Sequence, residues 1–228
     1  MALSAERRAQ RRDHLVQTAR VLIREGGDAG FSMTQLAARA GVSPATPYNL
    51  IGGKPEILRV VVHEDSDAFM AKVAAVTGVS ALAVLLAATA LVVSHYEADR
   101  PFYRGLYRAA SSFEATDVQY FMRDEGRPLW RGLVRAALDS GELTGRLQVA
   151  PFTDALLRVI ASTSLAWLTG DWTVERFSLE MSHAVRLAIA AVAASPARER
   201  LAEEIANAQA ALLAQEARNR PPNRVGVA

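Results

Sequence analysis

The stretch from Ser32 to Lys54, SMTQLAARAGVSPATPYNLIGGK, constrains this chain more than any other part of it. Ser32 is a good N-cap residue, and Gln35 three positions on completes a capping box. Met33, Leu36, Ala37 and Ala40 then recur at helical spacing. Gly41 supplies the residue able to take the left-handed conformation past a helix end. Val42 is apolar and suits the corner that follows. Ser43 and Pro44 read as the cap and first position of a second helix, where a missing N–H costs nothing. Helix, glycine-containing turn and helix make a helix-turn-helix pattern, whose second helix enters a DNA major groove.

The run VSPATPYNLIGGKPEIL resembles the end of the DNA-binding domain of the tetracycline-repressor (TetR) family. Val42, Ser43, Tyr48, Lys54, Ile57 and Leu58 match its pattern, and the resemblance covers residues ~8 to 62. Three residues depart from it. Pro47 stands where the family has leucine, and its absent N–H predicts a tightened, 3₁₀-like start to the recognition helix. Ile51 replaces an aromatic, and Leu50 replaces a polar residue that often faces DNA.

Charge distribution agrees with a DNA-reading head. Residues 1–62 hold nine Lys/Arg and five Asp/Glu, a balance of +4, although the whole chain carries only +2. Half of the 228 residues are hydrophobic, enough for a sizeable core, and alanine is abundant, which favours helix. The absence of cysteine excludes disulfides and thiolate metal sites and fits a reducing cytoplasm. The N-terminal charges precede no apolar run, so no signal peptide is expected. Val79 to Val93 is the most apolar stretch, and at fifteen residues it falls short of the ~20 that span a bilayer. It reads as a buried core helix, and no membrane partner is expected.

Along the chain, Arg7, Arg8, Arg11 and Arg12 read either as a basic arm on DNA or as a solvated helix start. A first helix runs to about Glu25, with Leu15, Val16, Ala19, Leu22 and Ile23 as its apolar stripe. In the recognition helix, Thr46, Tyr48 and Asn49 are the candidate base and phosphate contacts. Ser43 and Thr34 are further phosphate candidates. The resemblance implies that Lys54 grips the DNA backbone, and a helix start suits an anion. Lys54-Pro55 open a long helix to about Val76. It carries His63, Glu64, Asp65 and Asp67, which read as a solvated acidic face rather than a metal site.

The rest is helical in pattern. Helices are expected over about 80–98, from Pro101, and from Glu114, with a break at Glu125–Pro128 before a segment ending at Gly141. Phe102, Tyr107, Phe121, Met122 and Trp130 either line a cavity for an apolar ligand near that break or form plain core. Two helices at about 152–169 and 173–194 carry seams that include Phe152, Leu156, Ile160 and Trp167, and Phe177, Met181 and Val185. The resemblance implies a two-fold four-helix bundle between subunits built from this pair; packing within one chain is the alternative. A further helix from Ser195-Pro196 to about Arg218 either covers the body or extends the dimer contact. The tail, residues 219–228, is expected to be disordered.

No enzymatic constellation appears: there is no phosphate loop, no cysteine and no nucleophile elbow, and His14, His63, His95 and His183 are scattered. No cofactor or metal is expected. The expected fold is all-α: a three-helix helix-turn-helix domain over 1–53, then a larger helical ligand-binding and dimerisation domain over 54–218. The expected function is that of a cytoplasmic, ligand-responsive transcriptional regulator, a repressor. It would bind a palindromic double-stranded DNA operator as a homodimer and be released by a small apolar or amphipathic effector. The alternative is a helical enzyme or ligand-binding protein whose degenerate helix-turn-helix does not read DNA.

Overall fold

The computed structural model describes residues 2–26, 31–111, 116–144 and 147–219, with the side chains of 2–4, 110–111, 116–123 and 219 excepted. Among these residues there are ten helices and no strand: α1 (Ala2–Glu25), α2 (Met33–Arg39), α3 (Ala45–Leu50), α4 (Lys54–Ala74), α5 (Ala81–Glu97), α6 (Arg100–Ser111), α7 (Thr116–Asp139), α8 (Val149–Thr169), α9 (Val174–Ala190) and α10 (Ser195–Asn219). The all-α expectation holds. The basic stretch around Arg7 to Arg12 is helical, since α1 begins at Ala2. The tail beyond Asn219 lies outside the described residues.

The helices gather into two compact units, residues 1–76 with 94–130 and residues 77–93 with 131–228. In the first, α1 packs against α2, α3, α4 and α6. Its stripe of Leu15, Val16, Ala19 and Ile23 is fully covered, as are Leu36, Ile57, Leu58, Val61, Phe102 and Leu106. Burying each such aliphatic or aromatic side chain contributes about 1.5–3 kcal/mol, which is why the short α2 and α3 hold a fixed shape although neither would be stable alone. At one point α1 and α6 meet backbone to backbone: a Cβ on Gly105 would lie 2.0 Å from the Ile23 carbonyl oxygen.

In the second unit, α9 is packed by α8 on one side and by α10 on another. The Trp167 and Phe177 rings stack at 4.6 Å between α8 and α9. Leu201, Ile205 and Ala208 of α10 are buried, so this helix covers the body. Glu142 ties the start of α5 to the corner after α7, accepting from the Ser80 hydroxyl at 2.7 Å and the Leu82 N–H at 3.0 Å. By length and composition α8 could cross a membrane, but Leu156, Leu157, Ile160, Trp167 and Leu168 on it are buried inside the chain.

One element differs from the sequence expectation. The predicted break at Glu125–Pro128 is absent, and α7 runs on with Pro128 inside it. Proline at that position forfeits a single helical bond, toward the Asp124 carbonyl. Trp130, Val134 and Ala137 recur beyond it at helical spacing and are all buried, and that burial carries the helix through.

Candidate nucleic-acid interface

The turn between α2 and α3 follows from its residues. Ser32 and Gln35 form both halves of the capping box: the Gln35 N–H donates to Ser32 Oγ at 3.1 Å, and the Ser32 N–H to Gln35 Oε1 at 2.8 Å. Gly41 adopts φ +66°. The Val42 N–H then reaches the Ala37 carbonyl at 3.0 Å and the Gly41 N–H that of Ala38 at 3.2 Å, the bond pair of a Schellman motif. These bonds satisfy the last carbonyls of α2 and aim the chain into α3.

The start of α3 departs from the predicted cap. Regular helix begins at Ala45, and Pro44 before it is already helical, at φ −56° and ψ −27°. The Ser43 hydroxyl does not cap a backbone N–H; it pairs with the Thr46 hydroxyl at 2.8 Å. Instead the Thr46 N–H donates to the Ser43 carbonyl at 2.9 Å, a 3₁₀-type bond that gives the tightened start expected from Pro47. Pro47 itself is buried in the leucine's place, and its carbonyl accepts from Ile51 and Gly52 as the helix closes.

This leaves a polar, exposed face. Tyr48 is 55% exposed, Asn49 and Ser43 are exposed, and Thr46 is half-buried. Thr34 stands exposed in the first turn of α2. Leu50 and Ile51 are half-buried and belong to the underside. Lys54 is the first residue of α4; its ammonium sits 5.1 Å over the Phe31 ring, and burial lowers its pKa from the usual lysine value. Phe31 is buried directly before the Ser32 cap. The six candidates thus occupy α2, the turn, α3 and the start of α4 within one unit.

Behind this head lies a polar cluster that pattern-reading missed. Asp65 of α4, expected on a solvated face, is largely buried and accepts from Arg20 of α1 at 3.0 Å and from the Tyr103 hydroxyl of α6 at 2.9 Å. His95 of α5, 8% exposed, bridges Lys72 and Asp65. Lysine can only donate, so Nδ1 of His95 accepts at 2.8 Å and Nε2–H donates to Asp65 at 3.3 Å, which defines the neutral tautomer. Burial raises the Asp65 pKa, but His95, Arg20 and Tyr103 outweigh it and hold the carboxyl below its ordinary value. Burial, then the Asp65 charge, push the Tyr103 phenol far upward, so it stays a donor. His63 of the same helix pairs with Glu125 and, at 3.7 Å, with Asp67.

The aromatic candidates divide. Phe102 is fully buried under the Arg20 guanidinium, 4.5 Å from its ring centre, and Trp130 is buried against Phe69. These two are core. Tyr107 is half-buried, and the Phe121 and Met122 side chains lie outside the described residues. The subunit-contact candidates Leu156, Ile160, Trp167, Phe177, Met181 and Val185 are buried within the single chain, where they form the α8–α9 packing; Phe152 alone among them is half-buried. The large apolar side chains these helices expose are Leu165, at 42%, and Leu187, at 45%. A period of seven does not say which of two apolar faces is turned inward, and α10, by covering α9, decides it.

No protein-family model and no curated protein matches the sequence. Solved structures do. RolR in complex with resorcinol superposes with a TM-score of 0.66 at 16% identity, over 88% of this chain and 95% of that one. A TetR-family transcriptional regulator from Rhodococcus sp. gives 0.65 at 18% identity, over 79% and 99%. The TetR-family repressor QsdR from R. erythropolis gives 0.55 at 19%, over 82% and 97%. The class is therefore that of helical proteins with an N-terminal helix-turn-helix on a larger helical body. Within that class, the fold is that of the TetR-family transcriptional regulators.

Proposed function

We propose that this chain is a TetR-family transcriptional regulator, a cytoplasmic homodimer that represses by binding a palindromic operator and lets go when a small effector binds. The observation that carries the reading is the exposed Ser43–Thr46–Tyr48–Asn49 face, presented beyond a fully hydrogen-bonded helix-turn-helix corner. Asn49 reads base edges, with its amide suited to adenine, and Thr46 offers a methyl to thymine. Thr34, Ser43, Tyr48 and Lys54 hold phosphates, Lys54 from a helix start. Residues 1–53 are the DNA head and 54–218 the body. In a two-fold dimer, the two α3 helices would enter successive major grooves ~34 Å apart.

Resorcinol in one neighbour supports an effector that is small, aromatic and part polar. Around Tyr107, the stacked Tyr96 and Tyr103 rings, 4.2 Å apart, and Phe69 offer π-faces beside hydroxyl groups, which suits such a molecule. An effector releases DNA only by its differential affinity for the two states, typically worth ~1–3 kcal/mol.

The test is fluorescence anisotropy with the duplex upstream of the chain's own gene against a scrambled duplex, over a salt series. Saturation at two chains per palindrome is expected. Asn49→Ala should lose about 1–3 kcal/mol on the specific duplex and little on the scrambled one. Lys54→Ala should weaken both and lower the salt slope by about one unit. Equal losses on both duplexes for Asn49→Ala would remove it from base reading. No binding to either duplex at low salt would sink the DNA-reading function.

A further inference from the structure

Three arginines of α6, Arg100, Arg104 and Arg108, fall four residues apart and so share one face of the helix. That face also carries Pro101 and Gly105, and Gly105 is where α6 touches the backbone of α1. A cavity of about 170 Å³ opens at this joint. It is lined by Ile23 and Arg24 of α1 and by Arg100, Pro101, Arg104, Gly105 and Arg108 of α6. Four of the seven lining residues are cationic, and none of the seven carries a carboxylate. The nearest acid in the sequence, Asp99, sits at the start of α6, where it accepts from the Phe102 N–H at 3.3 Å and pairs with Arg24. It therefore anchors Arg24 at the rim and leaves the cavity's sign unchanged.

From this geometry we propose that the α1–α6 cleft is a binding site for a small multivalent oxyanion, of the phosphate or polycarboxylate class. The argument rests on shape and charge together. A guanidinium presents a planar fork of donors that matches carboxylate and phosphate oxygens two at a time. Four forks converging on one concave site, three from one helix and one from another, suit an anion with several oxygens rather than a single carboxylate. The low-dielectric floor made by Ile23, Pro101 and the glycine contact strengthens each of those bonds relative to open solvent. The site requires no aromatic effector and lies on a different face of α6 from Phe102, Tyr103 and Leu106, which are buried. Because the anion would touch both helices, it would also bind best when α1 and α6 are held together, so it stabilises that joint.

The experiment uses the full chain without DNA. Inorganic pyrophosphate and citrate are titrated at constant ionic strength, with sodium chloride as the balancing salt, and binding is followed by calorimetry and by the shift in melting temperature. Saturable binding with one anion per chain and a rise in melting temperature are expected. Arg104→Gln and Arg108→Gln should each raise the half-saturating concentration about tenfold or more, the loss typical of one charge-assisted bidentate contact. Arg218→Gln, on the exposed end of α10, should leave it unchanged. Circular dichroism of each variant checks that its helices are intact, and the second α6 variant decides the matter should the first misfold. Binding that tracks ionic strength alone, or that survives both α6 substitutions, overturns the proposal. So does a third result, in which neither anion binds but Arg104→Gln weakens affinity for a random duplex, because the cleft would then hold DNA phosphate. A chain that binds pyrophosphate yet no DNA would keep this site and remove only the regulatory reading.

Discussion

Asp65 takes hydrogen bonds from three other helices: Arg20 from α1, His95 from α5 and Tyr103 from α6. Removing its charge leaves Arg20 a half-buried cation without its carboxylate. Asp65→Asn should therefore cost about 2–4 kcal/mol in urea unfolding, the range for breaking a part-buried pair from one side. Tyr103→Phe, which deletes one donor and keeps the ring stack, should cost only about 1–2 kcal/mol. The same cluster sets an acid limit. With its folded pKa below the unfolded one, Asp65 contributes stability that is fully present above the ordinary aspartate range and is lost as pH falls through the lower folded value. His63 has the opposite sign. Glu125 first, against the opposing effect of burial and with help from Asp67 and Glu64, raises its pKa. Its contribution is present below the ordinary histidine value and fades as pH rises through the raised one. Unfolding curves of the parent and Asp65→Asn should converge toward acid; parallel curves would show that the carboxylate's charge is not what holds the cluster. None of this was legible in the residues HEDSD, because an acidic run on a helix reads as solvated until α1 and α6 are known to pack over one of its members.

At the scale of the element, what could be read in advance is what local chemistry decides. The Ser32–Gln35 box, the left-handed Gly41 and the 3₁₀ entry forced by Pro47 each follow from a few neighbouring residues, and each is present. Pro128 shows the other case: its local cost was real, but burial of distant residues overrode it. Gly105 is a third. Nothing in RGLYR reveals that α1 crosses there, yet a methyl group would meet the Ile23 carbonyl at 2.0 Å. Alanine is the better helix former, so in an exposed helix Gly→Ala would stabilise by about 1 kcal/mol. Here Gly105→Ala should instead destabilise by about 2–3 kcal/mol, the cost of overpacking against a rigid backbone. Gly132→Ala in α7, which meets no atom within 4 Å, is the matched control and should gain stability. A pair of thermal melts distinguishes the two, and a neutral Gly105→Ala would mean that α1 and α6 separate at little cost.

At the scale of the whole molecule, the question is which residues a second copy would touch. The seams at Leu156, Ile160 and Trp167 and at Phe177, Met181 and Val185 have the spacing of a helix bundle, but they are consumed inside the chain. A partner can reach only what is left outside, where Leu165 and Leu187 stand exposed on α8 and α9. Two sets of substitutions then separate folding from assembly. Trp167→Ala or Phe177→Ala removes a stacked ring from the core and should cost about 3–5 kcal/mol in unfolding. Leu165→Glu with Leu187→Glu should barely change the stability of the monomer, because exposed positions contribute within about 0.5 kcal/mol. If the homodimer forms on this face, that double substitution places desolvated charges in its contact and converts dimer to monomer in sedimentation equilibrium. Operator affinity should fall with it, since two heads would no longer arrive together and the gain from linked binding would be lost. A double variant that stays dimeric would place the contact elsewhere on the body, with Leu213 of α10, 67% exposed, the next residue to change.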